Sequence, residues 1–183
     1  MVTRRFISKT WLDLGFAALK TNGISALTIE ALCNQANKTR GSFYFHFTGI
    51  DEFLMELANE WKLRFTHDIV SWAPKSVTRF DVLNLLVARL DLPLESGIRQ
   101  LAVVNPNIRT IVGLADQERI DWLAQLYRKS SFANDDIAEE LAEIEYSAFV
   151  GFRLIKPEME SAEAKRMYDS FLRITGRTEA LRS

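Results

Sequence analysis

Cysteine is nearly missing from this chain. Among 183 residues there is one, Cys33, which leaves no disulfide framework and fits a reducing compartment. Histidine is almost as scarce. His46 and His67, with that single thiol, are too few to build a four-ligand zinc site, so no metal ligand is nominated. No apolar run approaches the roughly 18 residues of a membrane span. The opening MVTRRFISKTWLDLG carries basic residues, but polar residues interrupt the apolar segment behind them and leave no signal-peptide core. Cytoplasmic location and no membrane partner are the expectation. Catalytic signatures are absent too: no glycine-rich phosphate loop, no nucleophile elbow, no H-E-x-x-H and no Cys-x-x-Cys. No catalytic residue, enzyme activity or cofactor is therefore assigned. Acidic runs such as Asp135-Asp136 and Glu139-Glu140 read as helix starts and solvated faces.

What remains is a globular composition, 48% hydrophobic and 26% charged. The length suits one helical domain, or a small module joined to a larger one. The net charge of −1 is unevenly spread. Residues 1–47 carry Arg4, Arg5, Lys9, Lys20, Lys38 and Arg40 against Asp13 and Glu30, a balance of +4, so the other 136 residues carry −5. A basic head on an acidic body suggests a polyanionic partner.

Helical spacing dominates, with no period-2 strand and no internal repeat. A first helix is predicted from about Arg4 to Thr21, with Trp11, Leu14, Gly15, Ala18 and Leu19 on one stripe. Gly23 can take the left-handed conformation that ends it. Thr28 is a good cap for a short second helix whose apolar face is Ile29, Leu32, Cys33 and Ala36. Asn37 tolerates positive φ, so the chain can turn there and restart with Thr39 as cap. A long helix is predicted from about Ile50 to Val70, with Phe53, Leu54, Leu57, Trp61 and Phe65 near one side. Ser71–Val77, with Pro74, reads as a loop. Beyond it the spacing predicts helices over Phe80–Leu90, Pro93–Val103, Pro106–Arg128, from Asp135 to before Pro157, and Ser161–Thr175. The chain is expected to be all-α, with about nine helices.

Two short helices joined by a tight turn and packed on a third form a helix-turn-helix. The second helix of such a pair enters the DNA major groove with its leading residues at the base edges. Those residues here are NKTRGSFYFHF, Asn37 to Phe47. Arg40 has the geometry for a bidentate guanine contact. Gly41 lets backbone come close, and Thr39 and Ser42 can bond phosphate or base. Phe43 and Phe47, four apart, are expected in the core, anchoring a helix too short to be stable alone. Tyr44 and His46 are expected to point outward toward phosphates. Phe45 is open to two readings, contact with a thymine methyl or partial burial. Buried Cys33 is expected to be an inert thiol.

The segment TIEALCNQANKTRGSFYFHFTGIDEFL resembles the DNA-binding domain of the tetracycline-repressor (TetR-like) family. The register agrees at Thr28, Ala36, Thr39, Gly41, Phe43, Tyr44, His46, Phe47 and Asp51. The likeness covers about residues 5–65; the rest matches in helical character and length. It implies a DNA-binding head at 5–65 and a helical effector-binding and dimerisation domain at 71–183. It implies DNA contacts from Thr28, Lys38, Thr39, Arg40, Gly41, Ser42, Tyr44, Phe45, His46 and Thr48. Two departures stand out. Asn37 and Lys38 replace the family's glycine and aliphatic residue. The stem of Lys38 can cover the core while its ammonium reaches toward phosphate. Ile50 replaces a phosphate-contacting lysine, which predicts a lower affinity and salt slope.

The resemblance further implies a cavity for a small lipophilic effector in the body, and a two-fold four-helix pairing of the last long helices. The body displays apolar bulk and no charged constellation, with Trp122 and Tyr146 as pocket candidates. Ile144, Ala148 and Gly151 place small residues along one predicted helix, where a partner can approach closely. One recognition helix reads few bases, and two-fold pairing doubles the site. The expected partners are an inverted-repeat operator in double-stranded DNA, a second copy of the chain and the effector. The alternative is a helical carrier or interaction module whose head no longer binds DNA.

Overall fold

The computed structural model describes residues 2–67, 91–129, 135–156 and 159–174. The helix expected over 80–90 and the loop over 71–77 lie outside these residues. All the regular structure among the described residues is helical, in line with the all-α reading.

Helix α1 spans Val2–Asn22 and stops at Gly23, whose φ of 71° is the left-handed conformation that favours glycine. One 3-10 turn follows at Ile24–Ala26, and then α2 at Ile29–Ala36. The Thr28 side chain accepts a hydrogen bond from the Ala31 N–H at 3.2 Å, satisfying one open donor of the first turn. At the other end Asn37 takes φ 50° and ψ 49°, and the Lys38 N–H donates to the Cys33 carbonyl at 2.9 Å. The chain thereby reverses and restarts within three residues. Helix α3 is only Arg40–Tyr44, capped by Thr39, whose hydroxyl accepts from the Ser42 N–H at 3.3 Å.

Helix α4 runs Ile50–Lys62, and Glu52 reaches back from its first turn to accept from both the N–H and the hydroxyl of Thr48. The single helix expected to Val70 changes character after Lys62. Leu63–His67 is a π turn, which re-aims the side chains that follow. Arg64 from this turn bonds Asp13 on α1 and Glu60 on α4, both at 2.6 Å. Helix α5 is Leu92–Val104, opened by Asp91 capping Leu94 N–H. Helix α6 is Pro106–Arg128, where the Asn105 side chain accepts from the N–H groups of Asn107 and Ile108. Helices α7, Asp135–Ile155, and α8, Ser161–Ile174, complete the order.

These elements form two compact units. The first joins residues 1–72 with 90–119, and the second joins 73–89 with 120–183. The core of the first unit is aromatic at its base. Phe43 sits 5.5 Å edge-on from Trp11, 5.1 Å from Phe47 and 5.7 Å from Phe53. Helices α1 and α4 approach closely at Gly15, where a Cβ would lie 2.6 Å from the Phe53 ring. Helix α5 closes on α1 at Gly97, where a Cβ would meet Leu19 at 2.6 Å. A polar seam runs beside this core. Arg99 bonds Glu95 and Asp116, and Arg119 bonds Glu95, the Thr66 hydroxyl and the Phe65 carbonyl while lying over the Trp61 ring.

The second unit buries Leu123, Ala124, Tyr127, Ala138 and Ala142. Beside them Glu145, 3% exposed, accepts hydrogen bonds from the hydroxyls of Tyr127 on α6 and Tyr168 on α8. This corrects the reading of the body as apolar bulk. A glutamate in an amphipathic helix looks solvated in sequence; here two phenols from other helices enclose it.

Candidate nucleic-acid interface

The turn and α3 carry most of the nominated side chains to one surface. Lys38, Thr39, Arg40 and Gly41 are exposed, and Ser42 is half-buried. Tyr44 is 54% exposed and Phe45 66%, large fractions for rings. The exposure of Phe45 sets aside the reading of it as half-buried. Phe43 and Phe47 are fully buried, as their spacing predicts. Thr28 and Thr48 are exposed at the starts of α2 and α4.

His46 departs from expectation. It is 8% exposed and does not point outward. Helical phase cannot be carried past Tyr44, where α3 ends; residues 45–46 form a turn. That turn folds the imidazole inward, 4.9 Å edge-on from Phe45 and 6.2 Å from Phe47.

Within α3 the side chains separate by phase. Arg40 and Tyr44 are four apart and lie on one side. Together with Leu27, Thr28 and Ile29 from the start of α2, and Ile50 from the start of α4, they line a groove of about 350 Å³. The Arg40 guanidinium also approaches the Glu30 carboxylate at 3.5 Å, with both side chains largely in solvent, where such a pair contributes little. Gly41 and Phe45 are neighbours on the next side, joined by a hydrogen bond from the Phe45 N–H to the Gly41 carbonyl at 3.0 Å. A Cβ at Gly41 would meet only the Thr39 hydroxyl oxygen at 3.7 Å, an ordinary contact. Internal packing does not demand glycine there, although glycine costs a helix about 0.5–1 kcal/mol relative to alanine.

Sequence reasoning missed the groove because Leu27 and Ile29 are unremarkable apolar residues one by one, and Ile50 stands out only as a missing lysine. The i, i+4 pairing of Arg40 with Tyr44, set beside two predicted helix starts, is the signal that leads to it.

The nominated residues of the body lie apart from this surface in sequence and on other helices. Tyr146 is half-buried and packs against the core of the second unit. Trp122 is half-buried on α6, next to core residue Leu123. On α7, Ile144 is exposed, Ala148 and Gly151 are half-buried, and a Cβ at Gly151 would meet nothing. Cys33 is buried. Among the described residues no cluster of His, Cys, Asp and Glu has the makings of a metal site, and no helix is long and apolar enough to cross a membrane.

Comparison with known proteins adds to this geometry. Residues 12–57 match the family model for bacterial regulatory proteins of the tetR family. No curated protein sequence matches the chain significantly. Solved structures do. A TetR/AcrR-family transcriptional regulator from Aquifex aeolicus is 18% identical with a TM-score of 0.74, covering 92% of this chain and 98% of its own. A candidate transcriptional regulator from Saccharomonospora viridis, solved in complex with choline, is 16% identical with a TM-score of 0.75, covering 92% and 96%. SmeT, the repressor of a Stenotrophomonas maltophilia multidrug efflux pump, is 17% identical with a TM-score of 0.65, covering 91% and 89%. Residues 12–57 are thus similar to the bacterial regulatory proteins of the tetR family, and the chain as a whole has the fold seen in TetR/AcrR-family transcriptional regulators.

Proposed function

We propose that the chain is a cytoplasmic transcriptional regulator acting as a repressor. Two copies bind an inverted-repeat operator, one α3 per half-site, and a small lipophilic effector releases them. The observation that carries this reading is the surface of α3. Two side-chain-capped helices hold Lys38, Arg40, Gly41, Tyr44 and Phe45 outward on the basic N-terminal part of the chain, around a glycine that packing does not require. Thr28, Thr39, Ser42 and Thr48 supply hydroxyls at its margins for phosphate oxygens. His46, being buried, holds the turn after α3.

Pairing is supported by α7, where Ile144, Ala148, Gly151 and Ile155 fall on one side, with Ile144 and Ile155 exposed. Operator spacing gives the release mechanism its leverage. DNA accepts two recognition helices about 34–36 Å apart, so a small change in their separation lowers affinity, and effector and DNA binding oppose one another reciprocally. Trp122 and Tyr146 are the residues assigned to the effector. The choline bound by the Saccharomonospora viridis protein and the efflux-pump control exerted by SmeT support a small-molecule signal of this kind.

The test is selection from a random duplex library with the purified protein, beside Arg40→Ala. Enrichment of an inverted repeat by the wild type, weakened in Arg40→Ala, supports the reading. Failure to enrich any sequence at low salt rejects it, and favours a helical carrier with an inactive head.

A further inference from the structure

The bidentate geometry of arginine suits guanine, and Arg40 leads the recognition helix, so base reading is its obvious role. The groove points elsewhere. Its other walls are Leu27, Thr28 and Ile29 at the leading end of α2, and Ile50 at the leading end of α4. In a helix-turn-helix the first helix crosses the DNA backbone while the second enters the major groove. A side chain turned toward the start of α2 is therefore turned toward the phosphate track. We infer that Arg40 and Tyr44 form a clamp on one backbone phosphate, and that base edges are read from the adjacent Gly41–Phe45 side of α3. This inference rests on the DNA-binding reading above.

Three observations bear on it. Arg40 is the sole cationic side chain among the residues lining the groove, whose other polar groups are the hydroxyls of Thr28 and Tyr44. A cation flanked by hydroxyl donors fits a phosphate oxygen, and the apolar walls from Leu27, Ile29 and Ile50 fit the sugar edges on either side. Next, Glu30 holds the guanidinium near α2 at 3.5 Å with both groups in solvent, a pair weak enough to yield to a phosphodiester. Last, Phe45 is the most exposed ring among the described side chains of the head, and Gly41, four residues before it, leaves the backbone bare. That combination offers close approach and an apolar contact for a thymine methyl, which is how a surface without charge distinguishes bases.

Arginine and lysine separate the two roles, because a phosphate clamp needs a point charge and a bidentate guanine contact needs the planar fork. The proteins compared are wild type, Arg40→Lys, Arg40→Ala, Phe45→Ala and the double variant Arg40→Ala/Ile50→Lys. Each is bound to the sequences enriched by the wild type and to random duplex DNA over a salt series, with circular dichroism as the folding control. Arg40→Lys is expected to keep the wild-type base preference with affinity within a few-fold. Arg40→Ala removes one phosphate contact per half-site, and is expected to weaken binding by about tenfold on both DNAs alike and to lower the salt slope by about two. Ile50 lines the same groove, so the double variant restores the lost slope with the preference intact. Phe45→Ala relaxes the preference at one position per half-site. If Arg40→Lys relaxes the preference at a G·C pair, or the double variant regains affinity for random DNA alone, Arg40 reads a base and the clamp is wrong. If the wild type binds neither DNA, the DNA-binding reading itself fails.

Discussion

In the first compact unit the largest fully buried side chains are rings, Phe43, Phe47, Phe53 and Trp61, whereas in the second Tyr127 and two alanines, Ala138 and Ala142, are fully buried beside a carboxylate. The difference follows from the helices each core must hold. Helix α3 has five residues and cannot pay its own nucleation cost. It persists because Phe43, near its end, buries a whole ring against those of Trp11, Phe47 and Phe53. Helices α7 and α8 have 21 and 14 residues. They need less burial per turn, and alanines let them pack closely. Alanine contacts are smooth along a helix axis, however, and do not fix register. The hydrogen bonds from Tyr127 and Tyr168 to Glu145 do, because they are directional.

The largest expected effect tests the ring side of this contrast. Phe43→Ala should lower the stability of the first unit by about 3–5 kcal/mol, the usual cost of deleting a buried phenylalanine. Urea unfolding followed by circular dichroism should show an early transition for the first unit, with the second unit's transition unmoved. If both units lose stability equally, they do not hold themselves separately, and the contrast between their cores collapses.

The polar side is tested next. Glu145→Ala leaves two buried or half-buried phenol donors without their acceptor and should cost about 2–3 kcal/mol. Glu145→Gln keeps an acceptor oxygen and should cost about 1 kcal/mol. Thermal melts of the two variants, read at the second unit's transition, would sharpen the comparison through their difference. Equal losses would mean that one amide oxygen cannot stand in for the carboxylate, and that side-chain volume contributes little.

How much of this was legible in the sequence follows the same division. Ring spacing is a strong local signal, so Phe43 and Phe47 in the core, the caps at Thr28 and Thr39, and the left-handed Asn37 all follow from reading neighbours along the chain. His46 shows where local reading stops. Helical phase would turn its ring outward, but the helix ends at Tyr44, and no residue between them announces the end. Glu145 lies beyond reach for another reason. Its partners are 18 residues before it and 23 after it, and only tertiary packing brings them together. The groove at Arg40 is intermediate: each wall lies at a legible helix start, but their convergence is a property of the fold.

The first unit also holds charge, though by pairing opposite signs where the second encloses a carboxylate with phenols. Arg119, with its side chain 12% exposed, bonds Glu95 at 2.8 Å and the Thr66 hydroxyl at 3.0 Å, tying α6 to α5 and to the π turn after α4. Arg119→Ala should cost about 2 kcal/mol, less than loss of a fully buried pair because Arg99 still bonds Glu95. Arg119→Lys should recover only part of it, since one ammonium cannot reach Glu95, Thr66 and the Phe65 carbonyl with the fork's geometry. Full recovery in a denaturation midpoint would reduce the seam to a simple charge pair.

The smallest effect concerns acid. Burial by itself would raise the Glu118 carboxyl, but hydrogen bonds from Lys62 and His67, with their charges, outweigh it and hold the group below its ordinary value of 4.5. A carboxylate depressed in the folded state stabilises fully above its unfolded value, and that contribution is lost as pH falls through the lower folded value. The Lys62–Glu118 pair is 3.2 Å long with both side chains about a third or less exposed, so its contribution should be about 0.5 kcal/mol. In Lys62→Met the first unit's stability at neutral pH should drop by that amount, and the difference from wild type should shrink toward zero between about pH 5 and pH 3. A difference that persists unchanged at pH 3 would assign the loss to the lysine stem packing on α4 and not to the charge it pairs.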